Sequence, residues 1–164
     1  MIHYPGPTLA RRQFLRGAVA FAALAAGGCA RSAERPVPAM TVHRDAACGC
    51  CGAWASQARR AGFAATLIDE ADLSAVKARL GVPADLASCH TALVDGYVIE
   101  GHVPFDQVRR LLRERPEGVA GLAVPGMPAG SPGMEVPDGR REAYQVVAFG
   151  SNGRRRVYHQ VAAA

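Results

Sequence analysis

Apolar and polar positions change their period several times along this chain, and each change marks an element. "AMTVHRD" (39–45) is a short β-branched run and reads as a strand. "CGAWASQARRAGF" follows with helix formers. Trp54, Ala58 and Ala61 recur at spacings of four and three, one face of a helix, and Gly62 stands where a helix stops. "AATLIDE" predicts a second strand, and "ADLSAVKARLG" a second helix with Leu73, Val76 and Leu80 as its stripe and Gly81 as its stop. "VPADLAS" predicts a short helical turn. "TALVDGYVIEG" carries two apolar runs across Asp95-Gly96, a hairpin signal because both turn residues tolerate positive φ. Pro104 opens a third helix, "PFDQVRRLLRERP", with Phe105, Val108, Leu111 and Leu112 on its apolar face. "VAGLAVPGMPAGSPGMEVPDG" is rich in Gly and Pro and is expected to be an irregular loop. "EAYQVVAFGSNGRRRVYHQV" predicts two last strands around a Ser151-Asn152-Gly153 turn.

Strand, helix, strand, helix, hairpin, helix is the element order of an α/β, thioredoxin-like core, expected over residues 39–116. Residues 117–164 then form an extension, the Gly/Pro-rich loop and a β-hairpin, packing on that core.

The first 38 residues follow different rules. "ARRQFLRGAVAFAALAAGGCA" joins a charged head, a short apolar run and a small-residue zone, the organisation of a secretory signal. The apolar run is too short to cross a bilayer comfortably as a helix. Arg11-Arg12-Gln13-Phe14-Leu15 resembles the twin-arginine export motif, so residues 1–38 are expected to be an export signal and tether, with the mature domain in the periplasm. Ala26-Gly27-Gly28-Cys29 resembles a lipoprotein processing box, with Ala26 where leucine is usual. Cys29 is therefore a candidate lipid anchor to the inner or outer membrane, and cleavage near Ala30 that discards it is the alternative. Five of the 19 Lys and Arg residues fall in this segment against one of the 14 acidic residues, so the pI near 9.3 belongs mostly to the signal. The near-neutral remainder has no electrostatic footprint for nucleic acid.

The chemistry concentrates in "DAACGCCGAW", where Cys48, Cys50 and Cys51 occupy three of four positions. Cys48 and Cys51 form a C-x-x-C pair suited to thiol redox chemistry, while a third thiol between them suits metal. A cysteine at a helix N-terminus meets the positive end of the helix dipole, which favours thiolate. "ASCHTALV" places Cys89 and His90 just before the third strand, where this fold would bring them beside Cys48 and Cys51. Met127 and Met134 sit in the Gly/Pro loop with no apolar periodicity to explain them, and thioethers are soft ligands suited to monovalent copper. His102, in "EGHVP", is a further candidate that could instead cap the helix that follows, whereas His43 and His159 read as ordinary strand residues. Zinc is disfavoured because adjacent Cys50 and Cys51 strain a mononuclear tetrahedral site, and the spacing fits neither common ferredoxin pattern. Adjacent thiolates suit a multinuclear, thiolate-bridged copper site.

Cys48-Gly49-Cys50-Cys51, Ser88-Cys89-His90-Thr91, Glu100-Gly101-His102-Val103-Pro104 and the run from Gly121 to Glu135 together resemble the CxCC-motif family of small bacterial metal-binding proteins. That family is of unknown function and includes the periplasmic copper-resistance protein CopG. The resemblance covers about residues 40 to 160. It implies a thioredoxin-like domain whose C-terminal extension contributes to metal binding through the segment containing Met127 and Met134. It also implies copper held beside the CxCC motif by Cys48, Cys50, Cys51 and Cys89, and interconversion of copper oxidation states during detoxification. Three functions follow as expectations: a copper-binding protein of copper resistance with possible copper/thiol oxidoreductase activity, a thiol–disulfide oxidoreductase acting on protein partners, or a passive metallochaperone serving periplasmic copper export components.

Overall fold

The computed structural model describes residues 1–3 and 36–164. The twin-arginine motif and Cys29 lie outside the described residues. The chain divides into two compact units, Met1–Glu34 and Arg35–Ala164, and in the first only the terminal three residues are described, without regular structure. No described helix is long and apolar enough to cross a membrane.

The second unit is α/β. Seven strands form one mixed sheet: β1 (Ala39–Arg44), β2 (Ala64–Asp69), β3 (His90–Val94), β4 (Tyr97–Glu100), β5 (Gly121–Ala123), β6 (Tyr144–Phe149) and β7 (Arg155–Val161). Their spatial order is β2-β1-β3-β4-β5-β6-β7. β1 pairs parallel with β2 and β4 with β5, and the remaining pairs are antiparallel. Three α-helices connect them, α1 (Gly49–Arg60), α2 (Leu73–Arg79) and α3 (Phe105–Glu114), with a 3₁₀ turn at Ala84–Leu86.

Local signals account for most of these boundaries. Gly62 and Gly81 take positive φ just past α1 and α2, and Asp72 caps α2 by accepting from the Ala75 N–H at 3.0 Å. Asp95 and Gly96 both take positive φ, as a two-residue hairpin turn requires, and align β3 with β4. The expected terminal hairpin is present as β6 and β7, with a register irregularity between Val146 and Val147.

Side chains alternate along the strands, so the sheet carries apolar groups on both faces. Ile99, Leu122 and Ala148 pack with Trp54, Ala58, Val108 and Leu111 from α1 and α3, whereas their neighbours Val98, Ala123 and Phe149 pack with Val82 and Leu86 in the segment after α2. Trp54 is the largest fully buried side chain; its indole N–H donates to the Val103 carbonyl at 3.2 Å, and its ring lies 4.9 Å from that of Phe105.

One expectation fails. Gly121–Ala123, read as the start of an irregular loop, forms the buried strand β5 beside β4. Glycine is required at its head, since a Cβ on Gly121 would overlap the Val98 carbonyl oxygen and the Phe149 ring. A three-residue strand entered through glycine leaves no readable period.

Trp54→Ala is expected to lower unfolding free energy by about 3–5 kcal/mol in urea denaturation, through lost burial and a residual cavity. Ile68→Ala, at an exposed position on β2, is expected to stay within about 0.5 kcal/mol.

Candidate metal centre

The end of β1 delivers the chain into the cysteine loop. Asp45 turns it, accepting from the Ala47 N–H through its carboxylate and from the Cys48 N–H through its carbonyl. Arg44 donates to the Cys48 carbonyl at 3.1 Å and pairs with Asp69 at 2.9 Å, anchoring the loop to the neighbouring strand. Cys48 occupies the N-cap position of α1, and Cys50 and Cys51 lie in its first turn, where helix N–H groups have no intrahelical acceptor.

The antiparallel register of β1 and β3 sets Arg44 opposite His90, so Cys89 arrives at the same end of the sheet as the cysteine loop. Cys50 Sγ lies 3.5 Å from Cys48 Sγ and 3.8 Å from Cys89 Sγ. The sulfur atoms of Cys48, Cys50, Cys51 and Cys89 all lie within 4.8 Å of one another. Cys48 and Cys51 form a disulfide, while Cys50 and Cys89 are free thiols.

Nitrogen donors adjoin the sulfurs. Cys89 Sγ is 3.0 Å from His102 Nε2 and 3.3 Å from His90 Nδ1, and these three residues form a second group of metal-capable side chains. His102 Nδ1 is 2.8 Å from the Pro132 carbonyl, a partner that can only accept. The proton is therefore assigned to Nδ1, leaving the Nε2 lone pair directed at Cys89. His90 is fully buried, and its Nε2 has no hydrogen-bond partner.

Burial keeps these groups neutral. It pushes the Cys89 thiol up to about 12, assisted by neighbouring Cys50, so Cys89 remains protonated at neutral pH. The dipole argument for thiolate therefore does not extend to this cysteine, which lies outside α1. His90 is driven down to about 3, first by burial and then by the charges of His102 and Lys77. Burial also lowers His102, opposed by the Pro132 carbonyl and Glu135. A neutral imidazole is the form that binds metal, and a cation arriving beside Cys89 would displace its thiol proton.

The Gly/Pro loop closes a third side. Ser88 donates through its hydroxyl to the Gly126 carbonyl, and Gln57 of α1 donates to Glu135 at 2.6 Å. The Gly133 backbone runs so close to α1 that a Cβ there would meet Trp54 N at 2.8 Å and Cys50 O at 3.0 Å. Met127 is exposed (54 %) and Met134 half-buried, both on this loop. The sequence-predicted Cys48, Cys50, Cys51, Cys89, His90 and His102 thus come together, whereas Met127 and Met134 belong to the loop without joining either group of metal-capable side chains. His43 pairs instead with Glu70 at 2.6 Å.

Sequence reasoning missed the residues that hold these donors. Ser88 and Pro132 stood within the motifs that carry the family resemblance, but with no role of their own. Glu100, quoted only as part of a motif, could have been given a role, because an acid closing the apolar run "YVIE" is out of place on a buried strand; Lys77, on α2, carried no such signal.

This is a small α/β protein with a cluster of soft sulfur donors backed by neutral imidazoles, a donor set that fits a soft metal ion. Residues 86–134 match the family described as "Protein of unknown function, DUF411". Two solved structures, Form 1 and Form 2 of the copper resistance protein CopG, are each 48% identical to this chain with a TM-score of 0.71. They cover 76% of this chain, which spans 97% and 98% of theirs. No curated protein matches. The chain belongs to the CxCC-motif metal-binding family of unknown function that includes CopG, as the motifs indicated.

His90 has a pKa below its unfolded value of 6.5, so the native state is favoured above that pH and loses this contribution as pH falls towards 3. Metal-free protein is expected to lose stability over this window with a slope for His90 of up to about 1.4 kcal/mol per pH unit. Urea midpoints against pH check this, and His90→Gln should flatten the profile.

Proposed function

We propose that the chain is a periplasmic copper-binding protein of copper resistance, holding more than one copper ion as cargo and exchanging electrons with it. The observation carrying this reading is the convergence of four sulfurs from two distant segments within 4.8 Å. Copper is favoured by donor softness, and the likeness to CopG, named for copper resistance, supports the same choice. Zinc is the weaker alternative, because the adjacent Cys50 and Cys51 serve bridging better than one tetrahedral ion. Cys48, Cys50, Cys51 and Cys89 are the proposed principal ligands, with His102, His90, Met127 and Met134 completing the set.

The redox part of the proposal rests on Cys48 and Cys51. As thiols they are donors; joined as a disulfide they are not, and forming that bond releases two electrons and two protons. Two electrons suffice to reduce two cupric ions to cuprous ions. An external dithiol or periplasmic reductant must reopen the disulfide before the full donor set is available again.

The core is read as thioredoxin-like, supported by the strand order β2-β1-β3-β4 with Cys48, Cys50 and Cys51 at the junction of β1 and α1. Twin-arginine export fits a thiol-rich site, since the domain would fold in the reducing cytoplasm before meeting periplasmic oxidases. The Cys48–Cys51 disulfide at the head of α1 gives specific support to a second reading, a thiol–disulfide oxidoreductase acting on protein partners.

Cys50→Ser separates the two. Copper retained per chain after anaerobic reconstitution and desalting is expected to be several ions for the reduced wild type and no more than about one for the variant. If the variant loads like wild type, or the wild type holds no more than one weakly bound ion, the multinuclear reading fails. An exchanger would instead keep its disulfide-exchange rate within about twofold in the variant, since its C-x-x-C is intact.

Replacing Arg11 and Arg12 together by lysine is expected to leave the chain in the cytoplasm on cell fractionation. Continued appearance in the periplasm would refute twin-arginine export.

A further inference from the structure

Glu100, at the end of β4, is fully buried, yet it touches none of the proposed donors. A charged side chain in such a place is costly unless paired, and an apolar residue of similar volume often serves stability as well. Its contacts suggest why it is there. One carboxylate oxygen accepts the Ser88 backbone N–H at 2.6 Å and the Lys77 ammonium at 2.5 Å; the other accepts the Thr91 hydroxyl at 2.7 Å. Lys77 also donates to Thr91 at 3.0 Å, closing the network.

Ser88 and Thr91 are the residues on either side of Cys89-His90. A single carboxylate thus grips the turn bearing both donors before and after them. The backbone adds a second reference. The Glu100 carbonyl accepts from Val124 N–H at 3.0 Å, and the following Gly101 N–H donates to the His90 carbonyl at 3.0 Å. His102 comes next in sequence. Glu100 therefore ties Cys89 and His90 to His102 and to the root of the Gly/Pro loop.

We propose that Glu100 is a positioning residue for the metal centre, holding the Ser88–Thr91 turn so that the Cys89 thiol stands against Cys50 and His102. The inference rests on the copper reading for its functional consequence, but the placement of Cys89 is testable without metal. Reach distinguishes positioning from charge balance. Glu100→Asp keeps the negative charge for Lys77 but withdraws the carboxylate by one methylene from Ser88. Glu100→Gln loses the charge but keeps an acceptor oxygen at the original reach.

The experiment uses the full chain, metal-free, with Cys48–Cys51 oxidised. Maleimide modification is followed by peptide mapping, which reads Cys89, Cys50 and Cys29 separately, and thermal melting is recorded in parallel. Glu100→Asp and Glu100→Ala are expected to raise the Cys89 rate relative to Cys50 by about tenfold, and Glu100→Gln to stay within about twofold of wild type. The Ser88 amide proton, charge-assisted in the wild type, should move upfield in the Asp variant. Cu(I) affinity of the reduced proteins, measured by chelator competition, is expected to fall about tenfold for Asp but not for Gln.

Should Glu100→Ala not fold, the Asp and Gln variants carry the test. Asp labelling at the wild-type rate, or Gln labelling as fast as Asp, overturns the positioning role. Absence of copper binding by the wild type would overturn the copper reading instead, leaving the thiol-labelling result to decide the role of Glu100.

Discussion

The antiparallel register between β1 and β3 is the constraint from which the centre follows. With Arg44 opposite His90, the chain leaves β1 for the cysteine loop at the same end of the sheet where it enters β3 from Cys89. Thiols 39 positions apart in sequence thereby meet at 3.8 Å. A slip by one residue would turn the side chains of β3 to the opposite face. His90 would then leave the side it shares with Trp54, whose ring lies 4.6 Å away. Burial of Met40, Val42, Ala92 and Val94 holds the register, so the same apolar pattern that makes the core fixes the sulfur geometry.

Two chemical states compete within this frame. With Cys48 and Cys51 joined, the sulfur set is reduced to Cys50 and Cys89, and burial keeps the latter protonated. With all four as thiols, a cation able to replace several protons at once gains several thiolate donors in one place. Neutral His90 and His102 suit this exchange, because neither adds positive charge that would repel an incoming ion. The hydrogen bond from His102 to Pro132 matters for the same reason: it fixes a lone pair toward Cys89 instead of leaving the ring to rotate.

Much of this was legible along the chain, where the cause was local. Asp95-Gly96 announced its hairpin because only a few residues accept two successive positive φ values, and Gly62 and Gly81 marked helix ends for the same reason. The crowded cysteines and the Cys89-His90 pair were visible from their spacing along the chain. β5 was not, since its existence depends on β4 and β6 offering edges on both sides of a segment with no period of its own. His102 was ambiguous between a ligand and a cap for α3, and its orientation is set by a carbonyl thirty residues away. Contacts of that kind leave no mark in a single sequence. Glu100 left a faint one, a charge at the end of an apolar strand, whose meaning needed Lys77, Ser88 and Thr91 in place.

The Gly/Pro loop shows why composition that argues against regular structure can still specify position. Its backbone must pass within van der Waals distance of the first turn of α1, and at Gly133 any side chain would strike Trp54 N and Cys50 O. Proline at 132 leaves its carbonyl committed to His102, and Gly126 commits its own to Ser88. These three contacts fasten the loop to three different parts of the centre: α1, the Cys89 turn and the His102 turn. Displacing the loop would release His102 and expose the Cys89 side together. The extension after α3 is accordingly a wall of the site and a continuation of its sheet.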